Sequence, residues 1–356
     1  MKKTLVFAAL ASVALVGCTK NVEVANNDLN EITFETPVLA PATKANEITG
    51  TTFPTSVDFA VFAWYNATEL SGTDVAAGSL YMNDVTVNYD SDKNDTTTGT
   101  GAWKPASVYF WPKNGFLAFD AYSPSSVSAT CDATNGIAFT NFEASTDYDS
   151  QIDLLYSTRV INKQSSVEET NDTYDGVNIP FNHALSVVRV FVKASTDTDA
   201  NLIKVKSVKF MNIKKKGDFS QAGWTPAWTP KGDDVDLVIG DEADSTSSFA
   251  ISTAEKQYGN NHIVLPQGFD GSTAEIEIKY YILGQNGEEA LEQVAHFALS
   301  GQTAVKPGSN PVDSHDHEWK MGKRYNYHIT FGLNEIYFAP SITDWVDYDV
   351  TVPTID

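Results

Sequence analysis

An all-β fold is what this sequence predicts, and three observations carry it. Apolar residues recur at every second position in runs spread along the chain. Clusters of Gly, Asn, Asp, Ser and Pro separate those runs, and no regular series of helical segments comes between them. Strands at such spacing predict β-sandwiches, and the chain's 356 residues are enough for two units of ordinary domain size.

The first element is a leader, residues 1–18. Lys2 and Lys3 open it, and Leu5 to Val16 is apolar apart from Ser12. A basic start, a short apolar run and a small residue at the cut predict a secretory signal, and the run is too short to span a bilayer. The quartet Leu15-Val16-Gly17-Cys18 resembles the lipobox of bacterial lipoproteins. That resemblance implies that the Cys18 thiol is acylated, by palmitate among other chains, and becomes the new N-terminus. Several acyl chains together anchor a protein stably, whereas one does not. Cys131 is then left alone, so the fold has to rest on its core and not on a disulfide.

Residues 19–30 are polar and Asn-rich and read as a tether. "EITFETPVL" follows as a strand-like segment, with Ile32, Phe34 and Val38 on one parity. It belongs to a segment, 19–44, that precedes the first expected sandwich. In "VDFAVFAWY", Val57, Phe59, Val61, Ala63 and Tyr65 share a face. In "YMNDVTVNYD", Val85, Val87 and Tyr89 alternate with polar residues. In "EIEIKYYI", Ile276, Ile278, Tyr280 and Ile282 do the same, and in "RYNYHITF" so do Tyr325, Tyr327, Ile329 and Phe331. "KVKSVKFMNI" changes parity between Val205 and Val208, which predicts a bulge near Lys206. "EEALEQVAHFAL" (288–299) spaces Leu291, Val294 and Ala298 for a helix, but also fits a strand after a turn at Gly287. The expected units are 45–180 and 181–356, divided just before "PFNHALS".

The charge balance narrows the partners. A net charge of −22 disfavours nucleic acid and anionic membrane surfaces. Catalytic signatures are missing: there is no nucleophile elbow, no zinc-protease helix, no phosphate loop and no dinucleotide fingerprint. The residues therefore predict no enzyme, no cofactor and no metal. "HDHEW" (315–319) reads as a solvated acidic loop, because two histidines two apart on a loop define no ligand geometry. Asp90-x-Asp92-x-Asn94 and Asp197-x-Asp199-x-Asn201 begin like calcium loops. They then place Asp95 or Leu202 where glycine belongs, and Gly101 or Val208 where glutamate belongs, so both read as solvated loops and not as calcium sites. Trp224 and Trp228 in "GWTPAWTP" are candidate sugar contacts if exposed, and packing indoles if not. Lys204, Lys206, Lys209, Lys214, Lys215 and Lys216 form either a solvated strand or a docking face for an acidic neighbour.

Several stretches together resemble the fimbrillins, the subunits of type V pili. They are "VYFWPKNGFLAFDAYSP" (108–124), "IPFNHALSVVRVFV" (179–192) and "GKRYNYHITFGLNEIYFAPSITDWVD" (322–347), behind a lipobox. The resemblance implies two tandem transthyretin-like β-sandwich domains and no enzyme activity. It implies export as an outer-membrane lipoprotein, proteolysis after a basic residue, and polymerisation into an extracellular fimbrium for adhesion by donor-strand exchange. The partners it implies are other pilin subunits, including tip and anchor subunits, and a receptor on a host or bacterial surface. The family's cut follows arginine, and here the candidate is Lys44 before Ala45, so the resemblance implies that the segment 19–44 is removable. The tail "DYDVTVPTID" places Tyr348, Val350 and Val352 on one parity, as a possible donor strand or as the last strand of its own sandwich. The chain runs only 11 residues past Trp345, which keeps a tip or accessory adhesin in view beside a stalk subunit. From another class, a glycan-binding surface lipoprotein would use Trp224 and Trp228.

Overall fold

The computed structural model describes residues 31–39, 53–71, 78–91, 102–165, 176–241, 248–284, 290–301, 317–333 and 336–344. It is all-β, as expected. In chain order the first half holds β1 (Val38–Leu39), β2 (Phe59–Asn66), β3 (Ser79–Asp90), β4 (Ala102–Pro105), β5 (Phe116–Ser123), β6 (Thr130–Asp132), β7 (Gly136–Glu143), β8 (Leu155–Ser157), β9 (Val160–Lys163) and β10 (Pro180–His183). After these come β11 (Ser186–Ala194), a short helix α1 (Asp197–Leu202), β12 (Ile203–Ser220), β13 (Ala227–Asp241), β14 (Phe249–Ala250), β15 (Lys256–Val264) and β16 (Gln267–Gly268). The last strands are β17 (Glu275–Ile282), β18 (Leu291–Ala298), β19 (Glu318–Trp319), β20 (Lys323–Phe331) and β21 (Ile336–Asp344).

An eight-stranded sheet runs β1-β10-β8-β5-β2-β3-β4, with β9 also on β5. A four-stranded sheet runs β15-β11-β20-β21, and a seven-stranded sheet runs β18-β17-β12-β7-β6 with β13 and β14 on β12. The chain leaves the first sheet at His183 and enters the second at Ser186, so the expected boundary at residue 180 falls at the first residue of β10. The seven-stranded sheet draws on both halves of the chain, because Lys216–Ser220 of β12 pair with β7.

Three apolar clusters explain the burial. One gathers Phe34, Phe59, Val61, Trp103, Leu117, Phe119 and Phe181. A second lies between the four- and seven-stranded sheets around Val190, Phe210, Ile278, Trp319 and Ile329. The third joins residues from both halves: Ala60, Phe62, Tyr122, Phe139, Leu185, Val187, Phe219 and Ile263. This arrangement corrects the half-buried reading of "VDFAVFAWY". Phe59, Val61 and Ala63 enter the first cluster, and Ala60 and Phe62 the third, so β2 is covered on both faces. The polar parity of β20 is covered in the same way. Arg324 is fully buried, Arg189 donates to Asn326 Oδ1 (2.9 Å), and the His328 ring stacks on Phe191 at 5.3 Å.

Local details follow the sequence more closely. The register of β12 against β17 shifts between Val205 and Ser207, which is the bulge expected near Lys206. The ambiguous 288–299 stretch contains strand β18, antiparallel to β17 from Ile282↔Leu291 to Glu275↔Ala298. The Asp197-x-Asp199-x-Asn201 stretch, read as a loop, is helix α1. Thr196 caps it by accepting from Asp199 N–H (3.2 Å), and the Asp199 carboxylate accepts from the hydroxyls of Ser195 (2.5 Å) and Thr196 (2.7 Å). That reciprocal cap holds the Asp199 carboxyl below its usual range, chiefly through the Ser195 and Thr196 hydrogen bonds. Among the described residues no helix is long and apolar enough to cross a membrane, and no group of three His, Cys, Asp or Glu side chains is placed to hold a metal ion.

Candidate functional site

The eight-stranded sheet has two edges, β4 at one end and β1 beside β10 at the other. Residues 31–39, of which β1 is the end, bridge the β4 side to the β10 side and so close the sheet on itself. On the β4 side, Ile32 N–H donates to the Tyr109 carbonyl (2.7 Å) and Phe34 N–H to the Trp103 carbonyl (2.9 Å), while Trp103 N–H returns a bond to Phe34 (3.3 Å). On the β10 side, Glu35 N–H donates to Val177 (3.1 Å) and Val177 N–H to Thr33 (2.9 Å). Farther along, Val38 and Leu39 pair parallel with Pro180 and Phe181. The segment is thus antiparallel to one wall and parallel to the other, and its backbone groups alternate between the two.

Its side chains fill the first cluster. Ile32, Phe34 and Leu39 are buried, with Phe34 2% exposed. The Phe34 ring meets Phe59 and Phe119 edge-on, at 5.6 and 5.8 Å between centroids. Each such side chain contributes roughly 1.5–3 kcal/mol by leaving water. Burial does not follow a single parity, however. Ile32 and Phe34 share one, and Pro37 and Leu39 are buried on the other, so the phase changes at Thr36-Pro37. A proline at that point gives up an N–H, while its carbonyl accepts from Phe53 N–H (3.3 Å).

The groove walls carry their own adaptations. Gly176 has φ +79°, and a Cβ there would lie 2.7 Å from the Phe34 carbonyl carbon and 2.7 Å from Glu35 N. Glycine is required both for the backbone angle and for the approach of the inserted segment. Asn178 donates its side-chain amide to Glu35 Oε2 (2.9 Å) on the outer face. Trp103, at the seam itself, is fully buried against Phe53, Phe59 and Tyr89. None of Tyr109, Trp103, Gly176, Val177 or Asn178 stands out in the sequence, because what they share is a partner far away in the chain.

The tryptophans occupy different surroundings. Trp228 packs on Phe142 (5.6 Å) and Phe219 (5.4 Å) and donates its indole N–H to the Ala184 carbonyl (2.6 Å). The guanidinium of Arg159 lies 4.6 Å from the Trp224 ring centroid. That arginine also clamps the fully buried Asp120: Nε donates to both carboxylate oxygens (2.9 and 2.8 Å), and another guanidinium nitrogen reaches Oδ2 at 2.7 Å. Trp64 donates to the same carboxylate (3.1 Å), and Arg159 also donates to the Ala133 and Asp132 carbonyls. Cys131 lies 3.5 Å from Asp120, and burial, with the Asp120 charge second, pushes its thiol pKa up. Both indoles are engaged within the chain.

Much of the lysine cluster is also paired internally: Lys206 with Glu292 (2.8 Å), Lys214 with Asp234 (2.8 Å) and Lys215 with Glu143 (2.6 Å). Near "HDHEW", His317 faces Asp270 and Glu318 faces Lys320. Cys18, Lys44, Ala45, Tyr348, Val350 and Val352 lie outside the described residues.

The profile of the fimbrillin-like family matches residues 43–345. No curated protein matches the sequence. A fimbrial protein from Bacteroides vulgatus superposes with a TM-score of 0.60 at 14% identity, over 88% of this chain and 100% of that one. The tip fimbrial protein Mfa3 from Porphyromonas gingivalis, with a C-terminal truncation, gives a TM-score of 0.42 at 11% identity, over 88% and 100%. The first of these shares the fold. The profile spans most of the sequence, and the chain belongs to the fimbrillin-like family, which is structural and adhesive, not enzymatic.

Proposed function

We propose that this chain is a pilus subunit exported as an outer-membrane lipoprotein through Cys18 and processed between Lys44 and Ala45. Cleavage there lets residues 31–39 leave the groove, and a strand from another subunit takes their place in the extracellular fimbrium. The segment around Tyr348, Val350 and Val352 supplies that strand. One observation carries the reading: the segment that closes the first sheet lies wholly upstream of Lys44, so a cut there severs its covalent tie to the groove. Its departure would leave unpaired backbone groups at Trp103, Tyr109 and Val177 over an apolar floor of Phe59 and Phe119. Open edges of that kind template the addition of a strand. The resulting polymer presents adhesive surface to a host or bacterial receptor.

The test is Lys44→Ala. The variant should stay at the cell surface as a lipid-anchored monomer, while the parent yields polymers whose first residue is Ala45. Polymer from the parent that retains residues 19–44 would sink the reading.

A further inference from the structure

The groove imposes an unusual pattern on its occupant. Ile32 and Phe34 point inward, the phase breaks, and Pro37 and Leu39 are buried on the other parity. Measured from the proline, the inward apolar residues stand five before, three before and two after. The chain has 14 prolines, and only two carry apolar residues at all three of those places: Pro37 and Pro353. Aligned on the prolines, "ITFETPVL" (32–39) and "YDVTVPTI" (348–355) share the proline and apolar residues at the three inward places, while Thr36 is matched by Val352 and Val38 by Thr354.

We infer that the tail of a second copy of this chain enters the groove in one register and one direction. Pro353 stands where Pro37 stood, and Tyr348, Val350 and Ile355 take the places of Ile32, Phe34 and Leu39. The inference rests on the strand-exchange reading and adds to it the register and the direction of the incoming tail. Simple alternation would point Val352 inward and stop pairing at Pro353. The groove instead gives Val352 the half-buried place of Thr36 and continues past the proline.

Hydrogen bonding selects the same alignment. The groove takes N–H bonds from the residues at 32, 34 and 35, and Tyr348, Val350 and Thr351 can supply all three. The position of Pro37 uses only a carbonyl, which Pro353 retains. Running the tail backwards would also bring apolar residues to the pockets. It would then place Pro353 at the Phe34 site, where the bond to the Trp103 carbonyl needs an N–H that proline lacks. Residues 345–347 connect β21 to Tyr348 and span roughly 10 Å when extended. The end of β21 in one copy must therefore lie beside the groove of the next.

The outer face gives the test. Glu35 and Asn178 are in contact in the precursor, so Thr351 of the incoming tail should lie beside Asn178 of the receiving copy. Full-length chains with Cys131→Ser, Asn178→Cys and one tail cysteine, at Asp349, Thr351 or Pro353, are processed at Lys44, polymerised and oxidised. The expected result is a disulfide-linked ladder from the Thr351→Cys chain far stronger than from the other two. A ladder strongest from Asp349→Cys or Pro353→Cys overturns the register while leaving exchange intact. Processed chain that forms no polymer, even without cysteines, overturns the exchange reading itself. A second measurement uses synthetic peptides of residues 346–356 as inhibitors of assembly. Val350→Phe should refill the space left by Phe34 and inhibit more strongly, Val352→Phe should not, and Ile355→Asp should inhibit about tenfold or more weakly. A stronger effect from Val352→Phe than from Val350→Phe would refute the register.

Discussion

Replacing Phe34 by alanine separates the precursor from the processed form. The side chain is 2% exposed and lies edge-on between Phe59 and Phe119, under a backbone bonded to both groove walls. Truncating a core phenylalanine costs about 3–5 kcal/mol. The two ring pairs, each adding about 0.5–1.5 kcal/mol beyond area burial, place this site in the upper part of that range. The assay is denaturant unfolding of a lipid-free chain beginning at residue 19. Phe34→Ala should lower its midpoint with little change in slope. After cleavage at Lys44 the weakened segment should also leave sooner, so polymer appears with a shorter lag. Once the segment is gone, parent and variant chains are identical, and their polymers should have equal stability. A loss below about 1 kcal/mol in the precursor, a typical value for any point substitution, would mean that residues 31–39 do not hold the groove closed.

Three further outcomes follow from individual residues. Cys18→Ala should leave unprocessed precursor and abolish labelling by a fatty-acid probe, and continued uptake of label would refute acylation at that thiol. Arg159→Met should destabilise the fold by about 3–5 kcal/mol, because it strands the Asp120 carboxylate in the interior; an Arg159→Met/Asp120→Asn double variant, measured by the same unfolding curves, should be less damaged than the single one. His262, whose Nδ1 faces the Gln151 amide at 3.3 Å, is lowered by burial from 6.5 to about 4. The unfolded chain therefore takes up this proton first, and the associated stability, present above pH 6.5, is lost as pH falls toward 4. His262→Gln should flatten stability against pH in that window by up to about 3 kcal/mol, and an unchanged acid slope would contradict this.

The sequence by itself determined the strand content, because period-two patterning and turn chemistry are local. It also located the bulge near Lys206, where a parity change is written directly into "KVKSVKFMNI". It marked 31–39 as a strand-like segment, which the structure pairs at Glu31, Phe34 and Val38–Leu39. Three things needed the tertiary structure. The alternating face of β2 looked half-solvated, yet a second cluster built from Phe139, Leu185, Phe219 and Ile263 covers it. The sequence left Trp228 open between a sugar contact and a packing indole, and the packing comes from Ala184, Phe142 and Phe219, brought to it from elsewhere in the chain. Above all, the place of residues 31–39 between Trp103 and Val177 rests on backbone bonds to residues some 70 and 140 positions away. Backbone hydrogen bonds carry no side-chain signature, so nothing in the residues of "ITFETPVL" names their partners. The phase break at Pro37 has the same origin: alternation is a property of an isolated strand, but which side of it is buried depends on the walls that surround it.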